Sequence, residues 1–463
     1  MSLIIVAILC ISYLLFATES LTKVNKSAVA MFAGTIGWVL YICYGTDFVM
    51  GQYAREYAEF LNGALPSSAL VKQFIAENVF LKHVGQACGI VLFLLATMTI
   101  VEILNNNGCF DFVSQLLRTR SAKRILWIIA GVTFIISANL DNLTTTVMML
   151  TIMHKIVPAR KQRLIYGSAI VLAANCGGAL TVIGDPVGLV LWNAGAVTAT
   201  SYSMGLLLPC LAAWLLPTWW IGRMLPERVQ TEWITMPYRG DDTRLNVWQR
   251  LMMLFVGIGG LWFIPTFHNI TKLSPFLGAC CVLVVLWVVN EIFNRKLMND
   301  DAMIQRPVPR VLQYGVLQMM LFVMGMMLAI GVVDETGALA CVRDFIDHNI
   351  HNVWIVGLLS GLFSIVIDTF ANAFSWFSLF DMTAACEHAV DVDAYEAAFA
   401  QNGLLWRVVA YTSAVGGNIL AIGSLSGIAL VKMERMRISW FFRNVGWKAL
   451  VGGSLGFLIM LAL

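Results

Sequence analysis

Charged residues are scarce in this sequence: Asp, Glu, Lys and Arg make up 12% of the 463 residues, against 59% that are hydrophobic. Soluble domains carry about 25% charged residues, so this composition argues strongly against a soluble enzyme. The chain also lacks a P-loop, an HExxH pair and a GxSxG elbow, and no motif supports an enzyme. No basic face lies outside the short loops, which argues against nucleic-acid binding.

Two further absences concern processing and cofactors. No basic residue precedes the apolar segment 1–17, whereas Lys23 and Lys26 follow it. A secretory signal has the opposite order, so we expect an uncleaved first span with its N-terminus outside. The ten cysteines form no CxxC pair. We therefore expect small core residues there, and no resident cofactor.

Long apolar segments dominate what is present. The mean hydropathy is +0.78, and the segments are long enough to cross a bilayer core, which needs about 20 residues. The sequence therefore predicts an all-α polytopic membrane protein with about ten transmembrane helices. The predicted spans are 2–17, 27–45, 85–107, 164–193, 203–222, 251–268, 275–293, 311–333, 404–430 and 444–462.

The placement of charge predicts the topology. Of the 30 Lys and Arg residues, 23 fall in loops on one side, which we assign as cytoplasmic by the positive-inside rule. Segment 125–153 has such clusters at both ends, so it must enter and return as a re-entrant hairpin that turns within 137–146. Segment 353–380 has acidic loops at both ends and predicts a hairpin of opposite orientation. Both termini then lie outside.

The two hairpins also resemble each other in sequence. At an offset of 227, Ser137 falls on Ser364 and Asp141 on Asp368; at an offset of 239, 177–188 resembles 416–427. Inverted repeats with broken helices are typical of secondary transporters. The predicted regions are the N-terminal spans and external loop (1–84), the first repeat (85–222, with hairpin 125–153 and broken helix 164–193), a cytoplasmic loop with linking spans (223–310), and the second repeat (311–463, with hairpin 353–380 and broken helix 404–430).

Three carboxylates lie at membrane depth, where each costs roughly 2.5–3.5 kcal/mol. Asp141 and Asp368 lie at the hairpin turns, and Asp185 lies in a span beside Gly184 and Pro186. Unwound backbone exposes carbonyls, which together with carboxylate and amide oxygens suit Na⁺ or Li⁺. The alternative is that these aspartates only cap helices. Glu102, near the inner end of its span, is a candidate for a proton path, with a structural role as the alternative.

The same groups explain proton coupling. Burial favours the protonated carboxyl group, whereas a nearby cation favours the ionised one. A carboxylate in this position holds either a proton or a metal ion. If only occupied carriers reorient, the cation is exchanged for protons.

Several segments of the sequence resemble the corresponding segments of the NhaD-type sodium/proton antiporters. The resemblance is carried by 137–146, 173–178 and 183–185, with further similarity in 98–102 and 417–424. It implies an ion site built by the first hairpin turn and the broken span that follows. The site residues that it implies are Asp141, Asn142, Thr144, Asn175 and Asp185, with Asp368 and Ser424 in the second repeat.

Two departures from the antiporter pattern leave the substrate open. Pro186, Val187 and Gly188 stand where the antiporters tend to have hydroxyl residues, and Asp368-Thr369 replaces the usual Asp-Asn. Fewer oxygen ligands point to weaker affinity, to Li⁺ preference or to a divergent substrate.

The predicted function is exchange of Na⁺ or Li⁺ for H⁺ across the inner membrane by alternating access. The alternative is a sodium-coupled anion or dicarboxylate symporter of the same superfamily, whose hairpin turn typically reads Ser-Asn-Thr. The Asp141-Asn142 pair of this chain favours exchange over anion uptake. The expected partners are small cations, protons and membrane lipid, and the apolar segments 27–45 and 251–293 leave a homodimer open.

Overall fold

Helices account for all the regular structure in the part of the chain that the computed structural model describes, which is residues 1–22, 24–62, 64–229, 245–298, 314–380, 382 and 394–463. The N-terminal helices are α1 (Ser2–Ala17), α2 (Glu19–Thr22), α3 (Lys26–Cys43), α4 (Gly45–Gln52), α5 (Ala54–Leu61), α6 (Ser68–Phe74), α7 (Leu81–Asn106) and α8 (Phe112–Leu116). A π-helical stretch, Ile75–Phe80, joins α6 to α7, so that 68–106 forms one helix of 39 residues.

The remaining helices follow the polar interruptions of the sequence. They are α9 (Ala122–Asn139), α10 (Asn142–Ile156), α11 (Arg160–Leu180), α12 (Pro186–Asn193), α13 (Ala199–Gly222), α14 (Val247–Leu254), α15 (Gly260–Thr271), α16 (Pro275–Met298), α17 (Tyr314–Glu335), α18 (Ala338–Asn349), α19 (Val353–Ser364), α20 (Thr369–Leu379), α21 (Ala394–Ala397), α22 (Leu404–Leu420), α23 (Leu425–Met433), α24 (Ile438–Phe441) and α25 (Trp447–Ala462). Two further π-helical stretches, Phe255–Gly259 and Phe442–Gly446, make α14–α15 and α24–α25 continuous.

Ten helices among the described residues are long and apolar enough to cross a membrane. The predicted multi-pass, all-α fold is therefore confirmed, but the individual spans differ. Helix α1 has 16 residues and is short for a span, whereas α9, predicted as half of a hairpin, has 18 and qualifies alone. The predicted external loop that ends at residue 84 contains the helices α4 to α6.

The chain breaks where the sequence predicts interruptions. The first hairpin segment divides into α9 and α10, and the second into α19 and α20. Both predicted broken helices are interrupted, between α11 and α12 and between α22 and α23. The re-entrant course of the hairpins and the inverted orientation of the repeats stay predictions. Most of the acidic stretch after α20 lies outside the described residues.

The helices pack in two groups. Helix α17 packs along α3 and α7, and α16 packs along α7; separately, α9 packs on α11, α19 on α22, and α25 on α13 and α22. Helix α11 also contacts α22 and α23, so the two broken helices meet inside the second group. Burial follows this arrangement: 83% of the apolar window of Arg160–Leu180 is buried, but only 22% of that of Val247–Thr271 and of Pro275–Asn294. The broken helices are central, and the linking spans are peripheral.

Candidate functional site

Asp141 lies at the first hairpin turn and caps the N-terminus of α10. Its Oδ2 accepts hydrogen bonds from the backbone N–H of Thr144, at 2.7 Å, and from the hydroxyl of Thr144, at 2.9 Å. The side chain is buried, and Oδ1 has no hydrogen-bond partner among the described residues. Because a buried carboxylate oxygen without a partner is costly, this atom is a candidate cation ligand.

Asp185 lies at the break between α11 and α12 and caps α12. Its Oδ1 accepts from the backbone N–H of Val187 at 3.1 Å, and its Oδ2 accepts from Nδ2 of Asn142 at 3.0 Å. Asn142 therefore joins the hairpin turn to the broken helix. Pro186 occupies the first position of α12, where its lack of an N–H costs nothing. The departure from the antiporter pattern at Pro186 thus has a local structural reason.

Asn175 connects the first half of the chain to the second. Its Nδ2 donates to Oδ1 of Asn418, at 2.8 Å, and to Oγ of Ser424, at 2.9 Å. Ser424 in turn caps α23 by accepting from the N–H of Gly427 at 3.1 Å. Oδ1 of Asn175 is buried and has no hydrogen-bond partner in the described part of the chain, which leaves a second oxygen available to a cation.

The threonine run after Asp141 differs from the expectation. Thr144, the predicted ligand, donates its hydroxyl to Asp141 and so orients that carboxylate. The hydroxyls of Thr145 and Thr146 are buried and, within the described residues, have no hydrogen-bond partner. Neither hydroxyl therefore bonds back to a carbonyl of the preceding helical turn, as buried threonines in helices often do. Sequence reasoning missed them as candidate ligands.

The electrostatic environment of the first-half carboxylates is distinctive. Among the described residues, neither Asp141 nor Asp185 forms an ion pair with a basic side chain within 4 Å. Each is stabilised by the N-terminus of the helix that it caps, which carries about half a positive charge. No group of three His, Cys, Asp or Glu side chains in the described ranges is arranged to hold a metal ion. The available ligands are hard oxygens, which suit a small monovalent cation.

Asp368 lies at the second hairpin turn in a different environment. It caps α20 by accepting from the N–H of Phe370 at 3.1 Å. Its Oδ2 forms an ion pair with Nζ of Lys26, and both side chains are buried. The charge pattern counts Lys26 among the basic residues of the cytoplasmic side, whereas in the structure it is the first residue of α3 and its side chain is buried. Sequence reasoning missed its partnership with Asp368, because 342 residues separate the two and no local pattern joins them.

Backbone contacts at glycines hold each hairpin against its broken helix. A methyl group added at Gly184 would lie 2.6 Å from the carbonyl oxygen of Ser137, and one added at Gly423 would lie 2.1 Å from that of Ser364. The hydroxyl of Ser137 donates to the carbonyl of Ala174 at 2.7 Å, and that of Ser364 to the carbonyl of Ser413 at 2.6 Å. The contacts in the two halves therefore correspond to each other at the offsets of 227 and 239 residues found in the sequence.

A narrow cleft between the halves lies beside Asp185. Its lining residues are Ala179, Asp185, Val187, Tyr202, Thr369, Ala410 and Ala414. Glu102, the predicted proton-path residue, lies four residues before the end of α7, and its role stays a prediction.

Broken apolar helices whose ends carry buried carboxylates define a multi-pass membrane protein of the transporter class. Comparison with known proteins agrees with that class. The model of the citrate transporter family matches residues 1–401, and the chain belongs to this family.

Similar proteins include plant and bacterial antiporters. The chain is 30% identical to sodium/proton antiporter 1 of Arabidopsis thaliana over 81% of this chain and 61% of that protein, and 28% identical to sodium/proton antiporter 2 over 81% and 84%. It is 23% identical to the Na⁺/H⁺ antiporter NhaD of Vibrio cholerae over 98% of this chain and 90% of that protein. The resemblance to NhaD-type proteins is therefore confirmed. The chain spans less than two thirds of the first of these relatives.

Proposed function

We propose that this protein exchanges Na⁺ or Li⁺ for H⁺ across the inner membrane by alternating access, with both termini outside. The observation that carries the proposal is Oδ1 of Asp141, a buried carboxylate oxygen with no hydrogen-bond partner among the described residues. The similar proteins include antiporters whose names specify Na⁺ and H⁺, and this supports the choice of substrates. The transported ions are substrates, and no resident cofactor is proposed.

The proposed ion site lies at the first hairpin turn and the break that follows. Asp141 is the principal ligand; the residues proposed to complete the site are Asn142, Thr144, Asn175 and Asp185, with Ser424 positioning Asn175. Thr144 fixes the Asp141 carboxylate through Oδ2, which leaves Oδ1 for the cation. A protonated carboxyl group is neutral and cannot bind Na⁺ as a carboxylate does. The cation and the proton therefore compete for Asp141. This competition couples the two fluxes.

The second candidate is a sodium-coupled symporter for an organic anion. The description of the family as citrate transporters favours it, and helix N-termini can bind anions. In this chain, however, Asp141, Asp185 and Asp368 cap three of the four helices that begin at breaks. Of these, Asp141 and Asp185 have no basic partner among the described residues and repel an anion, and Oδ1 of Asp141, which has no hydrogen-bond partner there, attracts a cation. The observations on the described residues therefore favour exchange.

The decisive experiment measures the collapse of a pH gradient in proteoliposomes on addition of Na⁺ or Li⁺. We expect dissipation by the native protein and at least a tenfold slower response with Asp141→Asn. The asparagine oxygen can still accept from Thr144 and cap α10, so the substitution removes the charge and preserves the cap. Glu59→Gln, at an exposed position in α5, is the matched control and retains the native rate.

Two results would contradict the proposal. One is the absence of any Na⁺- or Li⁺-dependent response between about pH 7 and 9. The other is an undiminished response with Asp141→Asn. Uptake of labelled citrate that requires Na⁺, without proton release, would establish the symporter instead.

A further inference from the structure

A buried ion pair connects the N-terminal helices to the second hairpin. Lys26 is the first residue of α3, and its side chain is 8% exposed; that of Asp368 is 3% exposed. Nζ of Lys26 also lies 4.6 Å from the centroid of the Phe322 ring on α17, in a cation–π arrangement. The ammonium group is therefore enclosed by a carboxylate and an aromatic face, away from solvent.

Asp368 occupies the place in the second half that Asp141 occupies in the first. Each follows the first helix of its hairpin segment, caps the second helix and is 4% exposed. Their charge environments differ. Asp368 has a basic partner in Lys26, whereas Asp141, within the described residues, has no basic side chain in salt-bridge range and one oxygen without a partner.

Stability alone does not account for such an ion pair. Removing two charges from water costs several kcal/mol each, and replacing a buried pair by apolar groups is often neutral or stabilising. What the pair does provide is one positive charge fixed against the carboxylate. A bound monovalent cation would supply the same charge at the equivalent position in the first half.

We propose that Lys26 is a tethered cation that occupies the cation position of the second hairpin, so that Asp368 does not bind a transported ion. If the chain exchanges cations as proposed above, the consequence is that each chain binds its transported Na⁺ in the first half only. Lys26 is thus a specificity-determining residue: it converts one of two similarly built turns into a permanently occupied one.

The test counts the Na⁺ ions bound per chain. Equilibrium dialysis of the purified, detergent-solubilised full chain against ²²Na⁺ at alkaline pH is run on the native protein and on Lys26→Met. We expect Lys26→Met to bind one more Na⁺ per chain than the native protein, because Asp368 then lacks its cation. Lys26→Arg, which keeps the charge, is the matched control and gains none. A role of Lys26 as a mere structural link predicts lower stability and no additional Na⁺.

The double variant Lys26→Met/Asp368→Asn tests the same position if the single variant fails to fold. It removes both charges together, and we expect it to fold, to bind as many Na⁺ as the native protein and to exchange ions. Loss of a native Na⁺ in the double variant would make Asp368 a ligand and overturn the proposal. So would a folded Lys26→Met that gains no Na⁺, or a gain that persists in the double variant.

Failure of the proposed function has a different signature. A native protein that binds no Na⁺ and exchanges none contradicts the antiporter assignment. The tethered-cation proposal concerns the difference between Lys26→Met and the native protein, which is measured in either case.

Discussion

At the residue scale, one carboxylate performs two tasks at the first hairpin turn. Oδ2 of Asp141 holds the start of α10 through Thr144, and Oδ1 is left over. Asp185 divides its oxygens between Val187 and Asn142. The local backbone geometry is therefore set by the same side chains that carry the charge. From sequence, helix capping and ion binding are alternatives for these aspartates. Asp141 nevertheless caps α10 with one oxygen and keeps the other free to bind a cation.

Asn175 offers a test of the contact between the two halves. We expect Asn175→Ala to raise the KM for Na⁺ about tenfold, because it removes an available oxygen and two hydrogen bonds worth about 1 kcal/mol each. Na⁺-dependent pH-gradient collapse over a range of Na⁺ concentrations measures the change.

The matched control is Asn372→Ala. Asn372 is a buried asparagine whose Nδ2 bonds only Ser360 and Ser413 among the described residues. It should lower thermal stability and leave the KM unchanged; equal KM shifts in both variants would contradict a role of Asn175 at the site.

The site residues differ in how far sequence could predict them. Asp141 and Asp185 are recognisable because a carboxylate is expensive inside an apolar run. Lys26 directly precedes the predicted span 27–45, a position typical of a loop residue, and only the fold brings it to Asp368. Thr145 is indistinguishable from Thr144 by sequence pattern, since the geometry of the cap decides which hydroxyl is used.

At the scale of elements, glycines allow the backbone of the broken helix to lie directly against the hairpin. A methyl group at Gly178 would lie 3.3 Å from Cβ of Asn142, and one at Gly184 would lie 2.8 Å from the carbonyl oxygen of Gly178 as well as close to Ser137. Backbone atoms at these distances cannot move aside as a flexible side chain can. The position of this break, beside the proposed ion site, therefore depends on the absence of side chains.

Gly184→Ala should consequently impair both folding and exchange. We expect a loss of about 1–3 kcal/mol in stability from overpacking, and little remaining Na⁺-dependent exchange. Thermal unfolding in detergent and the proteoliposome assay measure the two effects. Gly131→Ala in α9 is the control, because a methyl group there meets no atom within 4 Å. A fully active and stable Gly184→Ala would show that the break tolerates displacement.

The elements were predictable wherever a local signal marks them. Gly184 and Pro186 mark the first break because one frees the backbone and the other begins a helix well. The length of the helix 68–106 was not predictable in the same way. Polar residues such as Glu77 and Lys82 suggested a loop, but they lie along a helix that continues through a π-helical stretch.

At the scale of the molecule, the orientation of the helices in the membrane rests on the distribution of charge. Cys341 provides a marker, because it is an exposed free cysteine on α18, just before the second hairpin. We expect a membrane-impermeant maleimide to label a variant that retains only Cys341 in intact cells. Labelling that occurs only after the membrane is permeabilised would place α18 inside and reverse the predicted topology.

Cys109 serves as the control for that experiment. It lies in the turn after α7, on the predicted cytoplasmic side, and burial raises the pKa of its thiol to about 12, above the usual value of about 8.5. The thiolate is the reactive form, so a variant that retains only Cys109 should stay unlabelled at neutral pH even in permeabilised cells. Rapid labelling there would show that the turn opens.

The low burial of the linking spans has a consequence for how the molecule is held together. Lipid is as apolar as leucine, so exclusion of water cannot attach α14 to α16 to the central helices within a bilayer; close contact at small residues can. A methyl group at Gly260 would lie 2.5 Å from Val282, and one at Gly257 would lie 2.8 Å from Leu104. Close contact at glycines thus contributes to holding the periphery, beside the hydrogen bonds that join Asn107 to Asn290 and Asn294 of α16. Its attachment should vary with bilayer thickness and acyl-chain packing, whereas the break in the broken helix, buried at the centre, should be insulated from both.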